Sequence, residues 1–403
     1  MVVGQRRSKV SGEPSWVIQT EDLQIGSSLS FDLTDASGQI LHKAGTPITE
    51  RLKERLQNRN INSVTVRGAG SSEEADIADS ILLECYSGES IKLIQDSIQN
   101  AQQSIIRLVK SLEERSSDHD LAEVRRNVDQ FVSSASENMA ATLAVLGLQL
   151  PISKLGIAER IATRSIKTAL LGVAMSVVRK DTESESVAIG MAGLLHDCSL
   201  LRHPEWFDPK PNFRDLLVLD EYRRHPIESA EMLLGIPGIS TQVTTMITQV
   251  HEQADGSGYP RGMKLGQTML GATILNISDA YFALTEPFHR PAIVPADALA
   301  YLCYHAAQGK FCKKTLQRMV QCMSIYPVGS LVVLDDQSKA VVIEGNQDEP
   351  LKPKVRIINE IKPSIDLRHS RRHIIGPHIT HGSKTAERIK KSQMQEILWR
   401  ADR

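Results

Sequence analysis

Apolar residues recur along this chain in distinct rhythms, and each change of rhythm marks a boundary. From Trp16 to Gly68 short apolar runs (Trp16-Val17-Ile18, Leu29 to Leu33, Ile40-Leu41, Val64-Thr65-Val66) are separated by turn residues such as Asp35-Ala36-Ser37-Gly38. Pro47-Ile48-Thr49 opens a short helix through Leu52 and Leu56. The pattern predicts a small α+β module over 16–68, behind a disordered lead at 1–15. Gly68-Ala69-Gly70-Ser71-Ser72 then reads as the start of a linker. Between Ile91 and Leu112 the rhythm turns helical. Ile91, Ile94, Ile98, Ala101, Ile105, Leu108 and Leu112 alternate at spacings of three and four, the seam of a packed helix pair. Such a seam serves either an internal bundle or a second copy of the chain, and a homodimer is the sharper expectation. A further stripe, Leu121, Val124, Val128, Phe131, Ala135, Met139 and Leu143, can pair antiparallel with it across Ser116-Ser117-Asp118. Residues 69–137 are thus expected to form a linker and a helical hairpin or coiled coil.

From 138 to 326 helical patterns follow one another, broken by Pro and Gly and without strand alternation, which predicts an all-α domain. Ala188 to Leu195 is an apolar helix end that delivers His196-Asp197. His203-Pro204 through Pro211 reads as a loop, and Leu216 to Leu234 as a helix carrying His225, stopped by Ile236-Pro237-Gly238. Val243 to His251 and Leu270 to Leu284 are helical, the latter bearing Asp279. After Tyr326-Pro327 three strands are expected, at Gly329 to Leu334, Ala340 to Glu344 and Lys354 to Ile358, making a C-terminal β extension at 327–367. Residues 368–403, with Arg368, His369, Arg371, Arg372, His373, His378, His381, Lys390 and Lys391, read as a solvated basic tail. The expected fold class is mainly α: a helical domain flanked by a small N-terminal α+β module and a C-terminal β module.

Composition narrows the partners. A net charge of −1 over 403 residues gives no global field toward nucleic acid or a membrane surface. Five cysteines (Cys85, Cys198, Cys303, Cys312, Cys322) at irregular spacing, with no CxxC pair, suit free thiols in a reducing compartment. The first residues are polar and basic, and no run approaches the roughly 20 apolar residues of a membrane span. A cytoplasmic protein with no membrane partner is expected.

The chemistry concentrates in Val250-His251-Glu252-Gln253-Ala254-Asp255-Gly256-Ser257-Gly258-Tyr259-Pro260. A histidine ends the apolar helical pattern Val243-Met246-Ile247-Val250, and a glycine-rich turn follows. Gly256 and Gly258 permit positive φ and close approach of a ligand, and Pro260 fixes the exit. With His196, Asp197, His225 and Asp279, His251 makes a set of three histidines and two carboxylates spread over successive helices. Imidazole and carboxylate are the ligands of iron, manganese or zinc. Asp197 can bridge a metal pair through its two oxygens, and a bridged pair lowers the pKa of water held in line with a phosphodiester.

These motifs, His196-Asp197, His225-Pro226 ahead of Ile227-Glu228-Ser229-Ala230, His251-Glu252-x-x-Asp255-Gly256-Ser257-Gly258-Tyr259-Pro260, Ser278-Asp279-Ala280 and Arg290-Pro291, resemble the HD-GYP family of metal-dependent cyclic di-GMP phosphodiesterases. The likeness runs from about Asn138 to Tyr326. It implies that His196, Asp197 and Asp279 hold a first metal and Asp197, His225 and His251 a second, with His196 and Asp197 at the catalytic centre. It also implies that Asp255, Gly256, Gly258, Tyr259 and Pro260 line the dinucleotide pocket and that Arg290 is structural or faces phosphate. Three departures stand against the family pattern. No histidine stands near Ala162–Thr163, leaving Glu159 as the nearest carboxylate; Val250 precedes His251 where a second histidine is usual; and Leu200 replaces a phosphate-contacting lysine. The resemblance therefore implies a phosphohydrolase that acts on or binds cyclic di-GMP with weakened catalysis and a partly occupied binuclear iron or manganese site. The alternative it leaves open is an inactive cyclic di-GMP receptor that docks diguanylate cyclase or other signalling domains.

Overall fold

The computed structural model describes residues 15–20, 33–35, 39–42, 48–59, 61, 63–67, 73–86, 88–114, 121–148, 155–207, 220–288, 292–358 and 364–378. They fall into two compact units, an N-terminal one reaching Ile77 and a larger one over Ala78–His378.

In the first unit β1 (Ser15–Gln19), β2 (Leu33–Thr34), β3 (Ile40–His42) and β4 (Ser63–Arg67) form an antiparallel sheet of order β1-β4-β2-β3. Helix α1 (Glu50–Asn58) is capped by Thr49, whose hydroxyl accepts the Leu52 amide. Its Leu52 and Leu56 join Leu33, Ile48 and Val64 in one small core. This is the expected α+β module. The lead before Ser15 and the Gly68–Ser72 stretch lie outside the described residues.

Helix α2 (Glu73–Cys85) crosses the boundary between the units, and α3 (Gly88–Glu113), α4 (Leu121–Glu137) and α5 (Met139–Gly147) follow in the second unit. The long α6 (Ile157–Arg179) and α7 (Glu183–Leu195) follow. Then come α8 (His225–Leu233), α9 (Thr241–Gln249), α10 (Leu270–Thr285), α11 (Pro295–Ala307) and α12 (Lys313–Met323). The expected helix over Leu216 to Leu234 is interrupted: residues 220–222 are helical and a turn at Arg223 and Arg224 follows. Among the described residues α8 begins at His225, with Pro226 in its first turn where a missing N–H costs nothing, and residues 208–219 lie outside the description.

The α3 seam is spent inside the chain. Ile91, Ile94, Ile98, Ala101, Ile105 and Leu108 are all buried without any second copy, with α3 packed on α4, α5 and α6. Helix α4 runs antiparallel to it, pairing Arg107 with Glu123 and Ser104 with Asn127. The dimer expectation for this seam is thereby corrected: an apolar stripe already covered offers a partner nothing. The boundary drawn at 138 moves as well, because α4 packs on both α6 and α7 and belongs to the same bundle. The second stripe is not one helix; Asn138 interrupts it and caps α5, its side-chain oxygen accepting the Ala141 amide.

Helix α6 is long and apolar enough to cross a membrane, contrary to the sequence reading, but 89% of that stretch is buried in the bundle. Its inner face also carries buried Arg164 and Lys167, the latter paired with Glu286. Helix α7 lies close against it because Gly193 has no side chain: a Cβ there would stand 2.8 Å from the Ala169 backbone. Thr182 and Glu185 start α7 with a reciprocal capping box.

The chain closes with an antiparallel sheet of order β8-β7-β6-β5-β9. β5 (Leu331–Leu334), β6 (Lys339–Glu344) and β7 (Lys354–Ile357) are the three expected strands. β8 (Ile365–Asp366) and β9 (Ile374–Pro377) were not foreseen. β9 corrects the reading of 368–403 as a tail throughout. It pairs with β5 at Val332, Val333 and Leu334, and Arg372 and His373 meet Asp336 and Asp335. A strand this short, preceded by basic residues, leaves no alternation to read. Residues 379–403 lie outside the described residues.

Truncating the covered seam should cost stability. Ile105→Ala is expected to lower the unfolding free energy by about 2–5 kcal/mol, as for other large-to-small core changes. Ile98→Glu should do worse, through an unpaired buried charge. Chemical denaturation measures both, and light scattering should show no change of mass in the folded Ile105→Ala variant. A full drop to half mass with unchanged stability would restore the dimer seam.

Candidate metal centre

The site is built where helix ends converge on the middle of α6 and α10. His196 is the last residue of α7's course, and Asp197 follows it into the 3-10 turn Cys198–Arg202. His225 opens α8, His251 follows the end of α9, and Asp279 sits within α10. Hydrogen bonds fix these ends to one another. Ser199 Oγ donates to the His225 carbonyl and Ser229 Oγ to Ser199 Oγ, tying α7's exit to α8. Asn276 of α10 donates to the Val250 carbonyl at 2.7 Å, holding the turn that carries His251.

The five side chains meet. His196 Nε2 and His225 Nε2 each stand 3.3 Å from Asp197 Oδ1. His196 Nε2 is 3.8 Å from Asp279 Oδ1, and His251 Nδ1 is 3.8 Å from Asp279 Oδ2. His225 Nε2 and His251 Nε2 are 3.0 Å apart. Backbone carbonyls set the rings: His196 Nδ1 lies 2.8 Å from Gly193 O and His225 Nδ1 2.6 Å from Tyr222 O. Donation to those carbonyls puts the proton on Nδ1 and turns a bare Nε2 inward, the arrangement a metal ligand needs.

Charge reinforces this at His251 and works against it at His196. Burial, together with the neighbouring His225, pushes His251 down to about 3, so its ring is neutral. Burial opposes a charge on His196, but Asp197 and Asp279 outweigh it and raise that ring above its usual range. For Asp197 burial favours the acid, yet His196, His225 and Arg164 hold it well below the ordinary carboxylate range. Asp279 is lowered in the same way, with Arg164 the strongest influence against burial.

Arg164 was not singled out in the sequence, and it is the central addition. Its Nη2 lies 3.1 Å from Asp197 Oδ2 and its Nε 3.5 Å from Asp279 Oδ1. A basic residue within a mostly apolar helical stretch was the available signal, shared with Arg160 and Lys167; a search for histidine and acid passed over it. Glu159 does not take the missing ligand's place, because its carboxylate turns back onto Gly156 at the start of α6. Ala162 and Val250 are fully buried, and Leu200 lies in an apolar cluster with Ile161, Trp206, Phe207 and Tyr222. A lysine at 200 would therefore bury its ammonium in the core.

The glycine loop is organised mainly by its own backbone. Gly256 has φ +85°, and a Cβ on Gly258 would stand 2.4 Å from His251 O, so these glycines admit the chain itself at least as much as a ligand. Exposed Asp255 accepts the Ser257 amide and hydroxyl. Glu252, also missed, is buried and accepts the Arg261 and Met263 amides at 2.7 and 2.8 Å. Tyr259 stacks on His251 with centroids 4.9 Å apart, and the Tyr259–Pro260 peptide is cis. A recess of about 30 Å³, the size of a water, lies among His251, Tyr259, Asp279 and Phe311. Arg290 lies outside the described residues.

Whether a cation fits can be judged from unmet polarity. His196 Nε2, Asp197 Oδ1 and Asp279 Oδ1 are buried and hydrogen-bonded to nothing. One ligand atom from each of His196, Asp197 and His251 lies within 4.8 Å of the others. Bare imidazoles beside carboxylate oxygens form the donor set of a first-row divalent ion, and the residues fit one.

This helical bundle with its His-Asp centre points to a class: residues 121–313 of the chain match the family described as HD domain. The chain is 31% identical over 182 residues to a cyclic di-GMP phosphodiesterase of Pseudomonas aeruginosa, covering 44% of this chain and 43% of the relative. It is 23% identical over 195 residues to the cyclic di-GMP phosphodiesterase PdeB of Borreliella burgdorferi, covering 48% and 51%. The chain thus spans about half the length of the curated relatives it matches. Among solved structures, an HDG"Y"P protein from Bdellovibrio bacteriovorus aligns over 76% of this chain and 98% of its own, at 18% identity and a TM-score of 0.43.

Glu252 should be the keystone of the loop. Glu252→Ala leaves two amides without their acceptor and is expected to cost roughly 2–3 kcal/mol. Thermal unfolding should register the loss, and hydrogen exchange at Arg261 and Met263 should accelerate; unchanged protection at both amides would show that the carboxylate does not hold the loop.

Proposed function

We propose that this chain is an HD-type, metal-dependent phosphohydrolase acting on cyclic di-GMP, with slow turnover. The observation that carries the reading is the meeting of His196, Asp197, His225, His251 and Asp279 at 3.0–3.8 Å. The similarity to cyclic di-GMP phosphodiesterases supports the substrate. A divalent ion, iron or manganese by the ligand set, supplies Lewis acidity toward a phosphoryl oxygen and makes water a better nucleophile. His196 and His225 turn Nε2 inward, their rings fixed by backbone carbonyls, and His251, kept neutral, competes little with protons for the ion. Tyr259, stacked on His251, fixes that ring and presents a flat face beside it. Slow turnover follows from two features: both carboxylates are already engaged by Arg164, and buried Leu200 offers phosphate no cation.

A second reading is an inactive cyclic di-GMP receptor or a module docking diguanylate cyclase domains; the small recess beside His251 favours docking over ligand capture, since ligand pockets usually run to several hundred Å³.

Product formation from cyclic di-GMP after anaerobic loading with manganese or iron separates them. Turnover below about 1 per second is expected, under the ordinary enzyme range. Asp197→Ala should abolish it and remove nearly all metal by elemental analysis, because that carboxylate touches both His196 and His225. Tight binding with no product, unchanged by Asp197→Ala, would establish the receptor instead. Activity and metal content that both survive Asp197→Ala would overturn the site.

A further inference from the structure

We propose that the Arg164 guanidinium permanently fills one cation position of this centre, so that the chain holds a single divalent ion where a carboxylate-bridged pair would need two. The inference rests on the metal reading above and concerns its stoichiometry. A carboxylate bridges two metals by giving one oxygen to each. Asp197 cannot do so here, because Oδ2 is engaged by Arg164 Nη2 at 3.1 Å while only Oδ1 faces the histidines. The same guanidinium reaches Asp279 through Nε at 3.5 Å, so it lies between the two carboxylates.

Withdrawal is blocked. Arg164 is buried at mid-helix, α6 is packed on α7 and α10, and its guanidinium lies 4.9 Å from the Phe288 ring centroid. Arg160, one turn earlier, stacks on the same ring at 4.8 Å and donates to the Pro287 and Phe288 carbonyls. A metal on that side would therefore meet two guanidinium groups. On the other side, His196 Nε2, Asp197 Oδ1, His225 Nε2 and the His251 ring face one another. Arginine cannot lose its proton at any working pH, so its charge is fixed, yet it has no vacant orbital to polarise a ligand. It neutralises the carboxylates without supplying Lewis acidity, and acts as a positioning residue.

The test compares the full chain with Arg164→His, which removes the fixed charge and adds a ligand, and with Arg164→Lys, which keeps a cation. Each is loaded anaerobically with manganese, and the metal is counted by elemental analysis and inspected by electron paramagnetic resonance. The wild type and Arg164→Lys should hold about one ion per chain with an uncoupled spectrum, and Arg164→His about two with exchange coupling. Two ions or a coupled spectrum in the wild type would overturn the proposal, and so would a folded Arg164→His variant that stays at one. Should Arg164→His not fold, the wild-type count and spectrum decide alone. No manganese in any of the three proteins defeats the metal reading of the whole site, a different failure from an unexpected second ion.

Discussion

Two carboxylates buried side by side need a cation, and this requirement organises the centre of the helical unit. An unpaired charge in a protein interior is costly enough that it is normally neutralised, paired or bound to metal. Asp197 and Asp279 come from different elements and share one partner, Arg164 of α6. Burial alone would push both toward the neutral acid, yet both are held ionised. The pairing therefore links the turn after α7 to the middle of α10 through the helix between them. The imidazoles extend the same compensation: His196 touches both carboxylates, and His225 touches Asp197.

Everything that aims these groups is set by helix ends and small residues. Gly193 lets α7 lie on Ala169 of α6, which brings His196 and Asp197 within reach of Arg164. The carbonyls of Gly193 and Tyr222 fix the two rings, and Asn276 fastens the turn before His251. The glycine loop looks most functional in the sequence, yet much of its composition serves its own folding. Gly258 admits the His251 carbonyl, and Glu252 gathers the amides that follow. Its direct contribution to the centre is Tyr259, laid flat on His251.

The five ligand candidates were legible because each residue type carries its chemistry wherever it is buried, and each lay at the end of an apolar pattern or within one. The all-α domain and the first three C-terminal strands were legible from periodicity for the same reason. What was not legible depends on geometry between distant segments. Whether the Ile91–Leu112 stripe met a second chain or α4 and α6 could not be read from its spacing, which is identical in either case. β9 is recognisable only once β5 stands beside it. Arg164 lay between Thr163 and Ser165 on a helix read for missing histidines, and only the fold puts its guanidinium between two carboxylates, the nearer of them 33 residues away in sequence.

A built-in cation changes what the fold asks of a metal. Where metal supplies all of the compensation, removing it leaves buried charge unpaired, and folding and loading become one event. Here Arg164 already neutralises part of the carboxylate charge, so the helical unit retains its internal pairing when no ion is bound. The same pairing works against the ion, because a fixed guanidinium beside the site repels a second positive charge and withdraws Asp197 Oδ2 from the donors. Stability without metal and strong metal binding thus draw on the same two carboxylates. On the proposed reading, the side facing His196, His225 and His251 is the one left for an ion, and the side facing α6 is given to the protein's own charge.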